Sequence, residues 1–578
     1  MAEDRSHSRK WPWSAVGALA ATALLFASAF IPEFSPLVIW FALVPALVAV
    51  RGISMWRLFW VSWLTGYLVC LALFYWVMIV SVTGGLLLPV YLGLYWPAFF
   101  VSLEVLARKY GVPRVLAAVA LWPLLEHLRG TLLTGLPWYY LGHALFRWPR
   151  LIQAADLGGV LFVSLVVMSV NALLAEAVVL RRKRRASVAV LAAAAVILLA
   201  NLAYGAWRMN SLKLFDGPTV ACVQPNVPQT IKIDQTEKQS AKIFLKMRAY
   251  TLDQRARAAD VVFWPETMMP GVIGVDDYTV ANGMSLAEIL DELVAQGALT
   301  RDAVSRVISD VDGGADVFNA IRKAAGPGAL ERLSTDSLMA ATAKIARESV
   351  VAGAIYAVTD SNGNITKTYN RACDLDPGGR EIAFYDKVHL VPFGEFVPFR
   401  DLCPALARLL GAMMPVQPVT YPGKDYGLLP AAGYAFGPAI CFESTFSYIS
   451  RRYRRLGADA LVNMTNDGWF GGSFELESHL GNALFRAVET RMAVVRAANT
   501  GISAVISPKG EIVVELAAPD GRKREIEGLL VSRVPLCRAR TPYLVVGNSW
   551  LVLPALCTLL FGLARYLFSA RKNAPFCP

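Results

Sequence analysis

Gly437-Pro-Ala-Ile-Cys-Phe-Glu-Ser444 sets a cysteine directly behind an apolar run that reads as the end of a buried strand. A thiol is mostly protonated at neutral pH, with an ordinary value near ~8.5, so a cysteine that serves as a nucleophile needs a base beside it. Upstream, Trp264-Pro-Glu266 supplies a carboxylate and Tyr385-Asp-Lys387 an ammonium. Glu266 as base, Cys441 as nucleophile and Lys387 as the cation for a developing oxyanion suit acyl transfer through a thioester. A cysteine ending a strand is also a common small buried hydrophobe. Its company favours chemistry: Glu443 follows at once, and Asn463-Met-Thr-Asn-Asp-Gly-Trp-Phe-Gly471 is a polar, glycine-rich turn behind another strand.

Outward from this stretch, short β-rich runs recur at 219–224, 259–264, 350–356, 433–440, 460–464 and 502–506. Helical patterns at about 236–258, 338–348 and 476–497 separate several of them, which predicts an α/β layered domain. Glu266 and Cys441 fall at strand ends, where α/β proteins place their sites. Residues 271–337 are helical and fairly acidic, an insertion on the outside of this domain.

The remainder is too apolar for a soluble protein: of 578 residues 55% are hydrophobic, and the mean hydropathy is +0.45. Apolar segments near 12–31, 35–50, 57–80, 85–107, 112–128, 156–180, 187–207 and 546–564 predict eight transmembrane helices, each close to the length that crosses a hydrocarbon core of roughly 30 Å. The first is expected to stay as a span, because no small-residue cleavage site follows it. The organisation expected is a membrane domain over 1–210, a catalytic domain over 211–540 and a final helix and tail over 541–578.

The net charge of +12 comes from basic runs beside the spans, such as Arg181-Arg-Lys-Arg-Arg185, and not from a nucleic-acid surface. Every second connection is basic, which places both termini in the cytoplasm and the catalytic domain on the outer face. Thr134-Gly-Leu-Pro-Trp-Tyr-Tyr-Leu-Gly142 breaks the pattern and reads either as an interfacial aromatic belt or as a wall of a lipid site containing Trp138 and Tyr139. The apolar run 405–415 reads as a mobile lid or as an ordinary packed helix.

Eight cysteines and five histidines form no metal-ligand spacing, so no metal or other cofactor is expected. Whether Cys373 and Cys403 pair in an oxidising compartment is open. Glu395, close behind Lys387 in His389-Leu-Val-Pro-Phe-Gly-Glu395, is either a surface carboxylate or a group that holds Lys387 or Glu266.

Taken together, Trp264-Pro-Glu266, Tyr385-Asp-Lys-Val-His-Leu-Val-Pro-Phe-Gly-Glu395 and Ile440-Cys-Phe-Glu443 resemble the motifs of the nitrilase superfamily. With the spans around them they resemble its apolipoprotein N-acyltransferase family. The resemblance implies an α-β-β-α sandwich and a Glu266-Lys387-Cys441 triad supported by Glu395, Glu443 and Phe442. It implies acyl transfer from a membrane phospholipid to the α-amino group of diacylglyceryl-cysteine on apolipoproteins, in a monomeric enzyme of the bacterial inner membrane. Trp138, Tyr139, Trp264, Asn466 and Trp469 are the substrate-contact candidates. The chain departs from the family at Lys232-Ile233, where a tryptophan is common. The rival readings are a tethered amidase, with water as acceptor, and a transporter, which would need ionisable groups in its spans. Only Glu104, Glu126, His127 and Glu176 qualify, all near span ends.

Overall fold

The computed structural model describes residues 13–31, 36–233, 235–398 and 420–572, with side chains as far as residue 565. Cys403 and the apolar run 405–415 lie outside the described residues. The chain forms two compact units: residues 1–213, 473–491 and 539–578 make one, and residues 214–472 and 492–538 the other.

The first unit is helical. Four of its helices are long and apolar enough to cross a membrane: Met55–Leu73, Val82–Lys109, Val160–Val179 and Arg184–Ser211. The apolar helices Trp13–Ser28, Pro36–Ala49 and Ser549–Arg565 are shorter. Helix Arg114–Arg129 holds 16 residues, a rise of about 24 Å, and carries Glu126, His127 and Arg129 in its last turn. Of the eight spans expected, four helices among the described residues meet the requirement on their own length and composition. Two of the four ionisable groups are ion-paired: Glu104 bonds Arg108 and Arg114 at 2.6 and 2.7 Å, and Glu176 bonds Arg51 at 2.6 Å. Trp138 and Tyr139 are 3% and 2% exposed and pack on Trp76 and Phe74, so this loop is core and not an interfacial belt.

The second unit contains two sheets. The first runs β12 (Gly528–Leu536), β1 (Phe215–Gln224), β2 (Val261–Phe263), β4 (Ser349–Thr359), β5 (Ile365–Leu375) and β6 (Glu381–Asp386), with β3 (Val272–Ile273) pairing β4. The second runs β11 (Ile512–Glu515), β10 (Ala504–Ile506), β9 (Ala493–Ala498), β8 (Ala460–Thr465) and β7 (Phe436–Ile440). β7, β8 and β9 are parallel and wholly buried, which is why each reads as a mostly apolar run, interrupted at Asn463 in β8 and Arg496 in β9, and not as an alternation. The sheets meet through Phe263 on Phe436, 5.2 Å between ring centres, and through Gln224, whose Oε1 accepts from Ser503 Oγ at 2.6 Å.

Two expectations change. The helix foreseen over 476–497 ends at Thr490: Arg491 takes φ +54°, and the β-branched Val494-Val495 run enters β9. Helix Glu475–Thr490, which connects β8 to β9, belongs to the helical unit, where Arg491 bonds Asp156 at 2.7 Å. The 271–337 insertion shares one hydrophobic cluster with the first sheet: Ile289, Leu293, Val307, Ile321 and Leu333 join Ala221, Val262 and Val350.

One buried group in this unit lacks compensation. Both carboxyl oxygens of Asp374 on β5 are without a hydrogen-bond donor among the described residues. Burial, with the Asp376 charge nearby, pushes the carboxyl from its ordinary 3.8 up to about 7. Because the folded value lies above the unfolded one, the folded state is favoured most below about 3.8, and that advantage is lost as pH rises through 7. Asp374→Asn should raise the melting temperature in detergent at pH 8, by up to about 4 kcal/mol of stability, and much less at pH 4. Equal effects at both pH values would contradict this.

Candidate active site

Cys441 directly follows β7 and opens a 3-10 turn, Cys441–Thr445, with φ +52°. A residue with a Cβ in the left-handed region is strained, and the surroundings have to hold it there. Several bonds do so. Ser444 Oγ and Asn463 Nδ2 donate to the Cys441 carbonyl at 3.0 and 3.3 Å, and Ile440 N–H donates to Glu443 Oε2 at 2.8 Å.

Glu443 links this turn to the lysine segment. Its Oε1 accepts from Tyr385 O–H at 2.7 Å and from the N–H groups of Val388 and His389 at 2.8 and 2.9 Å. The residue is 0% exposed, and burial raises its carboxyl to about 7 although four donors favour the anion. Lys387 follows β6, whose register beside β5 puts the Lys387 N–H on the Asn370 carbonyl at 2.8 Å.

The Lys387 ammonium is 1% exposed and lies 3.2 Å from Glu266 Oε1 and 3.0 Å from Glu395 Oε1. Burial alone would lower its value, but Glu266 and Glu395 hold it well above the ordinary range, so it stays charged. Asn370 Nδ2 bridges the same two carboxylates at 2.8 and 3.2 Å, and the backbone N–H of Asn466 donates to Glu266 Oε2 at 2.9 Å. Glu266 sits in the loop after β2. That loop lies against Gly353, where an added Cβ would stand 2.2 Å from the Pro265 carbonyl and 2.7 Å from Thr267 N, so only glycine admits it.

Burial and the Glu266 charge push the Cys441 thiol well above its ordinary range, and Lys387 draws it down. The resting thiol is therefore protonated, beside a carboxylate that can accept its proton and an ammonium that can face a developing oxyanion. Three residue types separated widely in sequence are brought into one buried cluster.

A family model described as carbon-nitrogen hydrolase matches residues 219–535, and one described as the apolipoprotein N-acyltransferase N-terminal domain matches residues 22–173. A protein of Geobacter metallireducens named apolipoprotein N-acyltransferase is 30% identical over 499 residues, covering 83% of this chain and 82% of that one. One of Rhizobium meliloti with the same name is 29% identical, covering 86% and 82%. The chain belongs to the apolipoprotein N-acyltransferase family. Among solved structures, Nit3 of Saccharomyces cerevisiae, described as a nitrilase-superfamily member, is similar at 17% identity with a TM-score of 0.33, covering 56% of this chain and 91% of that one.

The substrate-contact candidates separate. Trp264 is fully buried, its Nε1 donating to Thr251 Oγ1 at 2.9 Å, and is a core residue. Asn466 also turns inward: its side chain bonds Gln229 and Asn499 at 2.9 Å, and its backbone bonds Glu266. Trp469, half-buried in the 3-10 turn Asp467–Phe470, keeps an accessible surface in this unit. Trp138 and Tyr139 lie in the helical unit. Phe442 packs on Phe446 and His389.

Sequence reasoning missed Asn370, Asn463 and Arg496. Arg496 donates to Asn463 Oδ1 and to Asp467 Oδ2, the latter at 2.6 Å, beneath the cysteine turn. For Asn463 and Arg496 a polar residue inside an otherwise apolar strand was the available signal. Glu443→Gln keeps one oxygen but faces an amide N–H₂ toward a backbone donor. It should cost about 1–3 kcal/mol in thermal unfolding; an unchanged melting temperature would show that Glu443 does not lock the two segments together.

Proposed function

We propose that the protein transfers an acyl chain from a membrane phospholipid to the α-amino group of diacylglyceryl-cysteine at an apolipoprotein N-terminus. The observation that carries this reading is the buried Glu266–Lys387 pair, joined by Asn370 to Glu395, in the unit that presents Cys441 on a strained turn. Family membership supplies lipoprotein N-acylation as the overall reaction.

Glu266 takes the thiol proton as sulfur attacks the ester carbonyl of the phospholipid. The S–C bond forms and negative charge moves to oxygen, opposite Lys387 and a backbone N–H for which that of Phe442 is the candidate. The ester C–O bond then breaks, the lysophospholipid oxygen recovers the proton from Glu266, and a thioester remains on Cys441. In the second half, the acceptor amine attacks the thioester carbon, Glu266 accepts its proton, the N–C bond replaces the S–C bond, and the thiol regains the proton. Both substrates use one site in turn, so the kinetics are ping-pong. Glu395 and Glu443 serve by position, and Trp469 is the aromatic we assign to substrate contact.

The apolar helices follow from the substrates. Withdrawing an acyl chain from the bilayer costs about 0.8 kcal/mol per CH₂, so a site that works at the membrane avoids most of that cost. We assign the chain to the bacterial inner membrane, with eight spans, both termini cytoplasmic and the α/β unit periplasmic. The alternation of basic connections supports this, and the three shorter apolar helices together with Arg114–Arg129 would bring the count from four to eight.

Incubating the purified protein with radiolabelled phospholipid and no acceptor should leave label on Cys441, sensitive to hydroxylamine and absent from Cys441→Ala. Equal labelling of that variant would remove the mechanism. Lys387→Met should slow thioester formation by about 10²–10³-fold, while an unaltered rate would take the oxyanion role from Lys387.

A further inference from the structure

We propose that Lys232 is a second active-site cation, which clamps the turn carrying Glu266 and whose positive charge eases ionisation of Cys441. The inference rests on the assignment of Cys441 as nucleophile and adds a positioning residue to it. Lys232 lies in the short helix Gln229–Ile233, after β1. Its Nζ is 2.9 Å from the Thr267 carbonyl, 2.6 Å from Thr267 Oγ1 and 3.5 Å from the Glu266 carbonyl. Thr267 holds φ +50°, so the lysine grips the strained residue directly behind the proposed base.

The segment that delivers Lys232 is anchored to the same centre. Val227 N–H donates to Asn499 Oδ1 at 2.8 Å, Asn499 Nδ2 donates back to the Val227 carbonyl at 2.8 Å, and Gln229 Oε1 accepts from Asn466. Asn466 in turn holds the other oxygen of Glu266. Base and lysine are thus set by one network.

The charge differs from that of Lys387. Lys387 contacts two carboxylates directly, whereas among the described residues the hydrogen bonds of Lys232 all end on carbonyl and hydroxyl oxygens. The titratable groups facing Lys232 are Glu266 and Cys441; those facing Cys441 also include Lys387 and Asp467. Burial lowers the Lys232 ammonium to about 8 against the pull of Glu266 and Cys441. An ammonium with no carboxylate at contact range acts on the thiolate more than one already neutralised.

The test is alkylation of Cys441 by iodoacetamide across pH in the full-length protein in detergent, read from the Cys441 peptide by mass spectrometry. Lys232→Gln and Lys232→Met remove the charge; Lys232→Arg keeps it. The neutral variants should slow labelling at pH 7 about tenfold, the difference from wild type narrowing as pH rises past about 8, where Lys232 itself loses its charge, and Lys232→Arg should keep the wild-type rate at pH 7. A wild-type profile in whichever neutral variant folds, or a Lys232→Arg profile shifted as far as the neutral ones, would overturn the proposal. Alkylation reads the thiol and not the acyl donor, so a failure of the phospholipid assignment would leave this measurement unaffected.

Discussion

An ammonium that is 1% exposed is stable only where carboxylates meet it, and Lys387 sets that condition for the α/β unit. The cost of taking such a charge out of water is several kcal/mol, so Glu266 and Glu395 must both reach it. Two carboxylates so close to one cation leave an excess of negative charge, and the Asn370 amide and the Asn466 backbone N–H meet it with donors. Each of these partners sits on a different segment: the β2 loop, β5, the loop beyond β6 and the turn after β8. Through Glu266 and the Asn466 N–H, the cluster around the lysine ties the end of the first sheet to that of the second.

The cysteine turn adds strain to this frame. Its φ of +52° is held by Ser444, Asn463 and the Glu443 bridge, so the thiol is positioned before any substrate arrives. Arg496 and Asp467 carry the underside as a pair that is 0% exposed. A site built on interlocked buried charges gains orientation at some expense of stability, because each group depends on all its partners being present.

The motifs proposed as catalytic were legible because chemistry restricts such roles to few residue types. Glu266, Lys387 and Cys441 could be read as base, cation and nucleophile, and each strand end was marked by an apolar run meeting a polar residue. The positioning groups were not. Asn370 stands in Thr368-Tyr-Asn-Arg-Ala372, where nothing local distinguishes a bridging amide from a surface one. Trp264 and Asn466 read as substrate contacts because aromatic and amide side chains serve surfaces and interiors alike; burial decided both as interior. The helix over 476–497 was overextended for a similar reason, since the turn at Arg491 depends on a backbone conformation that no residue type announces.

The sequence by itself determined the apolar helices and the layered α/β unit, and it singled out Glu266, Lys387 and Cys441 as residue types suited to the proposed acyl transfer. Those follow from hydropathy, periodicity and reactivity, all properties carried by short stretches of chain. Only the tertiary structure decided which carboxylates face Lys387, that Glu443 bridges two loops, that Lys232 grips the Glu266 turn, and that four helices meet the length and apolarity needed to cross a membrane alone. Those are contacts between residues tens to hundreds of positions apart, or helix boundaries set by packing. Their energies exist only once the strands and helices have brought the groups within hydrogen-bond range.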